Sequence, residues 1–484
     1  MKSTQDKKNT TKANIAIVGT GYVGLTTGAI LAAAGYKVYC IDVDEQKIET
    51  IRQGKAHFYE AGLDNIVLEA VESGNLIPTL SYEEAIPDTD IAFITVGTPA
   101  RDDGSVDLTY ILQATRSIGE QLNTRTQNRK DEHGDYIVSI KSTVPVGTGT
   151  QAAAEIANVF DGDFSMASCP EFLAEGSAVL DTLIMDRIVI GADKESTQEV
   201  IESIFKDVND YAQGFDLDSL AKYAGVYRQK LDKKEIKPYE QRVLRIGLES
   251  AELVKVTANT FLATKISFAN MIARICDKTG ADITEVMDGI GADKRIGRDF
   301  LYAGLGWGGG CFPKDVSGLI SFAEEIGVDL GIAKEASKLN FSQANYVLEK
   351  TKDLLGDDLQ DQRVGILGLS FKPGTDDVRV SPAINLIKGL AGLGVDVVAT
   401  DPQAIATAKK ELEGTKLEFA NDPYETASNA DLLILATDWP EYNELDFAKI
   451  SQVMNAKNII DARNRWDKAE LEGLGFRYTS LGRQ

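Results

Sequence analysis

Histidine is nearly missing from this chain of 484 residues, which holds only His57 and His133. That leaves little room for a cluster of imidazole metal ligands or a His-based triad, so chemistry here has to rest on lysine, cysteine and carboxylates. Cysteine is scarce too. Cys40, Cys169, Cys276 and Cys311 lie far apart and form no CxxC pair, which argues against a zinc site and leaves each one as buried packing or a reactive thiol. No apolar run reaches the roughly 18 residues that cross a bilayer. The polar start, 1–12, lacks the apolar core of a signal peptide and reads as a disordered tail. A cytoplasmic protein without a membrane partner is expected. Basic residues are outnumbered, 51 Lys and Arg against 74 Asp and Glu for a net charge of −23, which argues against nucleic acid as the main partner but leaves space for a local cationic pocket.

What the chain does have is length for about three domain-sized units and an alternation of β-branched runs with helical stretches. Strands are expected at 15–19, 37–42, 91–96, 136–141 and 187–192, which make a first doubly wound domain over 13–212. A second strand series, 363–369, 395–400, 431–437 and 458–462, with a helical connector at 381–394, makes a second Rossmann-like domain over 351–484. Between them lies a central region, 243–350, built on a long helix over 253–280 that has no Pro and ends on Gly280. The fold class is therefore α/β, two Rossmann-like ends joined by a long-helix centre that suits a subunit interface. Residues 213–242 are mixed in charge, break the pattern and read as a surface insertion.

Gly19-Thr20-Gly21-Tyr22-Val23-Gly24 closes an expected strand and opens an expected helix, and Asp42 ends the next strand 23 residues after Gly19. In that context the glycines permit a tight turn and close approach of a pyrophosphate, and Asp42 accepts from a ribose 2′-hydroxyl, favouring NAD over NADP. A ligand-free glycine turn is the plain alternative. Cys311 follows five glycines within 304–310 and precedes Pro313, Lys314 and Asp315. A thiol at a helix start beside Lys314 suits a nucleophile, and glycine density of this kind points to close approach of a substrate more than to packing. Lys255 and Asn259 share a face of the long helix, Glu171 and Glu175 have the same spacing, and Lys141–Gly147 follows a strand end where open sheets bind ligands.

The chain resembles the nucleotide-sugar 6-dehydrogenases, the UDP-glucose/GDP-mannose dehydrogenase family, almost throughout from Ala13 to Arg483. The resemblance rests on GTGYVG (19–24), VGTP (96–99), KSTVPVGT (141–148), PEFLAEG (170–176), ELVKVTANTFLATKISFAN (252–270), RIG (295–297), GWGGGCFPKD (306–315) and FKPGTDDVR (371–379). It implies an NAD-binding domain, a helical dimerisation core and a UDP-binding domain, with a four-electron oxidation of a C6 alcohol by two NAD⁺. It further implies Cys311 as nucleophile through a thiohemiacetal and thioester, Asp315 with Thr143 and a water as base, Lys255 and Asn259 as oxyanion stabilisers, and Glu171 in hydrolysis. Cofactor contacts would be Gly19, Gly21, Tyr22, Val23, Gly24, Asp42, Lys47, Val96, Thr98, Ser142, Glu175 and Arg379. Substrate contacts would be Glu171, Phe172, Leu173, Lys255, Asn259, Tyr302, Gly308, Phe371, Lys372 and Arg463, with Arg295 sent across the interface of a homodimer or larger homo-oligomer. The run CFPKD favours UDP-glucose over a UDP-N-acetylhexosamine. A non-catalytic nucleotide-sugar sensor is the rival from another class. Gly310, where relatives often carry Ser, Tyr302 and the 213–242 segment depart from the common pattern.

Overall fold

The computed structural model describes residues 12–125, 127–215 and 237–483, so residues 1–11 of the expected tail and 216–236 of the expected insertion lie outside the described residues. The chain divides into two compact units. Among the described residues, the first runs to Arg101 and from Val106 to Val256, and the second holds Asp102–Ser105 and the chain from Thr257 onward.

The first unit is built on eight strands: β1 (Ile15–Val18), β2 (Val38–Ile41), β3 (Leu76–Thr79), β4 (Ile91–Ile94), β5 (Tyr136–Ile140), β6 (Phe164–Ser168), β7 (Ile188–Ala192) and β8 (Val243–Ile246). Their order is β3-β2-β1-β4-β5-β6-β7-β8. β1, β2 and β4 are short, apolar and wholly buried, as parallel strands covered on both faces must be. The sequence pattern anticipates β1, β2, β4, β5 and β7 but not β3, β6 or β8. β3 carries Pro78, which a sheet tolerates at its edge, where β3 lies. One pairing departs from a wholly parallel sheet: β7 runs antiparallel to β6 through Ala167↔Ala192 and Ser168↔Gly191. β8 then pairs parallel with β7, so the chain just past the expected insertion belongs to the first unit.

The second unit carries six strands, β9 (Arg363–Leu367), β10 (Asp396–Thr400), β11 (Leu417–Phe419), β12 (Leu432–Leu435), β13 (Asn458–Asp461) and β14 (Arg477–Ser480), all parallel in the order β11-β10-β9-β12-β13-β14. This repeats the order of the first six strands of the other sheet. Alternate residues feed two cores: Leu432 and Ile434 pack with Ile384 and Ile387 on one face, Leu433 and Leu435 with Trp439 and Phe447 on the other.

The long helix spans Leu248–Thr279, 32 residues. In the second unit its Ala269, Ala273 and Cys276 pack against Ile283, Met287 and Leu301, so Cys276 is packing. Phe261, Phe268 and Ile275 recur every seven residues and are exposed, as is Met271. No described helix is long and apolar enough to cross a membrane.

Candidate active site

In the first unit the turn after β1 is set by Gly19, whose φ of 95° suits glycine and whose amide donates to the Ile41 carbonyl at 2.8 Å. A Cβ on Gly24 would lie 1.9 Å from the Gly19 carbonyl oxygen, so only glycine lets the helix Tyr22–Ala33 start this close to the turn. A Cβ on Gly21 would meet nothing within 4 Å. That open face at a helix N-terminus fits a diphosphate. Asp42, buried at the end of β2, accepts from Thr20 N at 2.7 Å, Thr20 Oγ1 at 2.6 Å and Asp44 N at 3.1 Å, with Lys47 Nζ 4.0 Å away. Burial pushes this carboxyl up, but those hydrogen bonds and the Lys47 charge outweigh it and hold the group below its ordinary value.

Val96, Thr98, Ser142 and Thr143 gather where β4 and β5 end: Ser142 Oγ donates to Val96 O at 2.7 Å and Thr98 Oγ1 to Thr143 O at 2.9 Å. The sequence reading overlooks His57, which with Phe58 walls the turn. His57 Nε2 lies 2.6 Å from Thr20 O, burial lowers its pKa, and the Phe58 ring stacks on Tyr22 at 4.0 Å.

Glu171 and Lys255 form a buried ion pair, Nζ to Oε1 3.0 Å, and the other Glu171 oxygen accepts from Leu173 N. Breaking such a pair from one side costs about 3–5 kcal/mol, because the remaining charge is stranded. Residues 170–176 form no helix; the helix begins at Ala178, so the spacing of Glu171 and Glu175 does not place them on one helical face. The loop is instead held by Glu60, which accepts from Gly176 N at 2.7 Å and Ala178 N at 2.8 Å, and by Asp181. Phe172 has two cations near its ring, Arg187 at 3.7 Å and Lys255 at 5.6 Å from the ring centre. Glu252, one helical turn before Lys255, accepts from Gly147 N and Gly149 N, both at 2.7 Å, and so ties the long helix to the turn that follows Thr143. Lys141 is buried, its Nζ 5.4 Å over Phe205, and burial lowers its pKa. Neither Glu60 nor Glu252 carries a local sequence signal, since each acts on backbone far away in the chain.

In the second unit Cys311 is the N-cap of the helix Phe312–Glu325, with Pro313 in the first turn, and is exposed. Cys40, Cys169 and Cys276 are buried, and burial raises the thiol pKa of Cys169 to about 11. Asp315 is buried one turn beyond Cys311; it accepts from Asn259 Nδ2 at 2.6 Å and from Lys314 Nζ at 2.6 Å, while its amide donates to Cys311 O at 2.9 Å. An exposed thiol and an ionic carboxylate are thus fixed on consecutive turns of one helix.

The glycine run has a cause the sequence reading did not assign. A Cβ on Gly308 would lie 2.3 Å from Val380 O, on Gly309 2.7 Å from the Phe371 ring, and on Gly310 2.4 Å from Arg379 Nη2. Packing against the segment 371–380 therefore excludes a side chain at Gly308 and Gly309, where the sequence alone points to substrate approach more than to packing, while at Gly310 the nearest atoms are only the movable end of the Arg379 side chain. Arg379 holds Asp377 through Nε and Nη2, at 2.9 and 2.7 Å, and its carbonyl accepts from Gly309 N at 2.9 Å. Lys372 Nζ lies 5.6 Å from the Phe371 ring centre. Arg463 donates through Nε to Ala436 O at 2.6 Å. Arg463 and Tyr302 line one cavity of about 200 Å³. Arg295 is 83% exposed at its side chain and grips Asp293. Among the described residues no group of three His, Cys, Asp or Glu could hold a metal ion.

Comparison with known proteins finds three matching domain models of the UDP-glucose/GDP-mannose dehydrogenase family: its NAD binding domain over 13–209, its central domain over 249–342 and its UDP binding domain over 365–468. The chain is 38% identical to UDP-glucose 6-dehydrogenase TuaD of Bacillus subtilis (strain 168), covering 97% of this chain and 93% of the relative. It is 37% identical to UDP-glucose 6-dehydrogenase of Rhizobium meliloti (strain 1021), over 97% and 99%. Among solved structures, a UDP-glucose dehydrogenase from the hyperthermophilic archaeon Pyrobaculum islandicum superposes with a TM-score of 0.83 at 35% identity, covering 99% of this chain and 100% of that one.

Proposed function

The chain belongs to the UDP-glucose/GDP-mannose dehydrogenase family, and from that premise we propose that it oxidises UDP-glucose to UDP-glucuronate in the cytoplasm. UDP-glucose, two NAD⁺ and one water give UDP-glucuronate, two NADH and three protons. NAD⁺, when bound, supplies the hydride acceptor for each oxidation. The turn Gly19–Gly24 would hold its diphosphate and Asp42 its ribose, with Lys47, Val96, Thr98, Ser142, Glu175 and Arg379 as further contacts.

Asp315, or a water it shares with Thr143, takes the proton of the C6 hydroxyl. Lys255 and Asn259 stabilise the negative charge that grows on that oxygen. The Cys311 thiolate adds to the aldehyde carbon, forming a C–S bond while the carbonyl oxygen takes a proton; the second oxidation turns this thiohemiacetal into a thioester. Glu171 then accepts a proton from the water that attacks the thioester, the C–S bond breaks to return the Cys311 sulfur to the protein, and the sugar carboxylate leaves. Phe172, Leu173, Tyr302, Gly308, Phe371, Lys372 and Arg463 would hold the nucleotide sugar.

The observation that carries the reading is the exposed Cys311 at a helix start with Asp315, itself bonded to Asn259, one turn on. A dehydrogenase that stops at the aldehyde or ketone needs no such thiol. The exposed stripe Phe261, Phe268 and Ile275 supports a homodimer or larger homo-oligomer in which Arg295, paired with Asp293 of its own loop, reaches a neighbouring copy. NADH counted per UDP-glucose consumed by purified enzyme tests the proposal. Two is expected; one would overturn the covalent second oxidation.

A further inference from the structure

The loop 170–176, which carries Glu171, lies in neither helix nor strand, so its amides have no ladder to enter. Side-chain carboxylates meet them instead. Leu173 N donates to Glu171 Oε2 and Ala174 N to Asp181 Oδ2 at 2.9 Å, both bonds made within the same stretch of chain. Glu60 is different. It comes from 116 and 118 residues earlier in the chain than the amides it meets, and takes Gly176 N on one oxygen at 2.7 Å and Ala178 N on the other at 2.8 Å. Gly176, at a φ of 81°, turns the backbone so that these two amides converge, a small anion nest that the buried carboxylate fills.

The origin of Glu60 gives this contact its meaning. It follows directly on His57 and Phe58, which wall the turn Gly19–Gly24 through Thr20 O at 2.6 Å and the Tyr22 ring at 4.0 Å. Ala56 N donates to Asp64 Oδ1 at 2.8 Å and Leu63 N to Glu60 O at 3.2 Å, so the segment 56–64 is closed on itself. One fixed segment therefore touches the dinucleotide turn with His57 and Phe58 and the Glu171 loop with Glu60.

We propose that Glu60 is a positioning residue for the hydrolytic step: registered on the wall of the dinucleotide turn, it sets the loop that aims Glu171 at the thioester. This role rests on that given to Glu171 above. Glu171 holds Lys255 with one oxygen at 3.0 Å and Leu173 N with the other, so this base is only as well aimed as the loop around it. Lys255 stands on the long helix, which Glu252 fixes independently to Gly147 N and Gly149 N. A slack loop therefore falls harder on hydrolysis, which needs Glu171, than on the two oxidations.

The test is a single turnover of the full-length enzyme, in excess over UDP-glucose and with saturating NAD⁺. NADH is followed by absorbance, and the sugar adduct on Cys311 by mass after acid quenching at timed intervals. In Glu60→Gln an amide N–H₂ has to face one of the two backbone donors, so one hydrogen bond is lost with little change of volume. Decay of the adduct should slow about tenfold, while NADH formation changes by less than about threefold. Equal slowing of both, or of neither, overturns the assignment, since a merely structural role moves the two rates together or lowers stability alone. Should Glu60→Gln not fold, Glu60→Asp, which keeps the charge on a stem one methylene shorter, is read by the same two rates. A wild type that forms no adduct at all strikes the proposed function, whereas a wild-type adduct that Glu60→Gln leaves no longer-lived strikes this assignment alone.

Discussion

The two sheets share one strand order in their first six strands, and each ends its second strand on a buried aspartate, yet the two aspartates have different work. At β2, Asp42 anchors the turn beside it, through Thr20 and Asp44, and faces Lys47. At β10, Asp401 is consumed by the protein: it accepts from Leu369 N, Ser370 N and Oγ, Gln403 N, Ala404 N and the Trp439 indole. The turns that precede them explain the contrast. Gly19 and Gly368 have nearly the same φ, 95° and 97°, and each glycine amide bonds to a carbonyl on the next strand, Ile41 O or Thr400 O. After Gly19 a helix starts at once, at Tyr22; after Gly368 it waits until Pro382. The intervening segment brings Phe371, Arg379 and Val380 against the glycine loop before Cys311. A common topology thus holds a dinucleotide-type turn in one unit and the support of the Cys311 loop in the other, because the length of one connection differs.

The sharpest break between the regions is chemical. Cys311→Ser should lose steady turnover by about a thousandfold or more while NAD⁺ and UDP-glucose still bind, measured by calorimetry beside initial rates; near-normal turnover would remove the covalent role. Next comes Asp401→Asn, which leaves buried donors poorly matched and should lower stability by about 3 kcal/mol, read as earlier unfolding in denaturant with little change in the KM for NAD⁺. Asp42→Asn should show the opposite balance, a KM for NAD⁺ raised about tenfold, or ~1.4 kcal/mol, with a smaller loss of stability. If the two variants behave alike, the contrast between the turns is wrong.

The smallest effect concerns Lys141, whose pKa burial lowers. The folded state binds this proton less readily than the unfolded chain does, so stability rises with pH toward the ordinary lysine value of about 10.4. Lys141→Met should therefore be more stable near pH 7 by about 1 kcal/mol, and the gain should vanish as the pH nears that value. A gain that does not change with pH would mean that packing, not charge burial, was at issue.

Much of this was legible in the chain because it is local. Strands such as 15–18 and 432–435 are continuous apolar runs, and the turn 19–24 has its glycines at fixed offsets from a strand and a helix. What escaped was short, polar or distant in sequence. β8 is four residues of no special pattern and is a strand because β7 lies beside it. Glu60, Glu252 and Asp401 look like surface carboxylates until backbone amides far away in the chain converge on them.

The sequence by itself determined the family, the two Rossmann-like sheets, the NAD turn and the singling out of Cys311, since each is written as periodicity or as a motif of fixed spacing. Only the tertiary structure decided why 308 and 309 must be glycine, and that Lys255 pairs with Glu171 and Asn259 with Asp315. Those facts depend on which distant groups meet in a low-dielectric interior, where an unpartnered polar atom is costly, and no local spacing encodes that meeting.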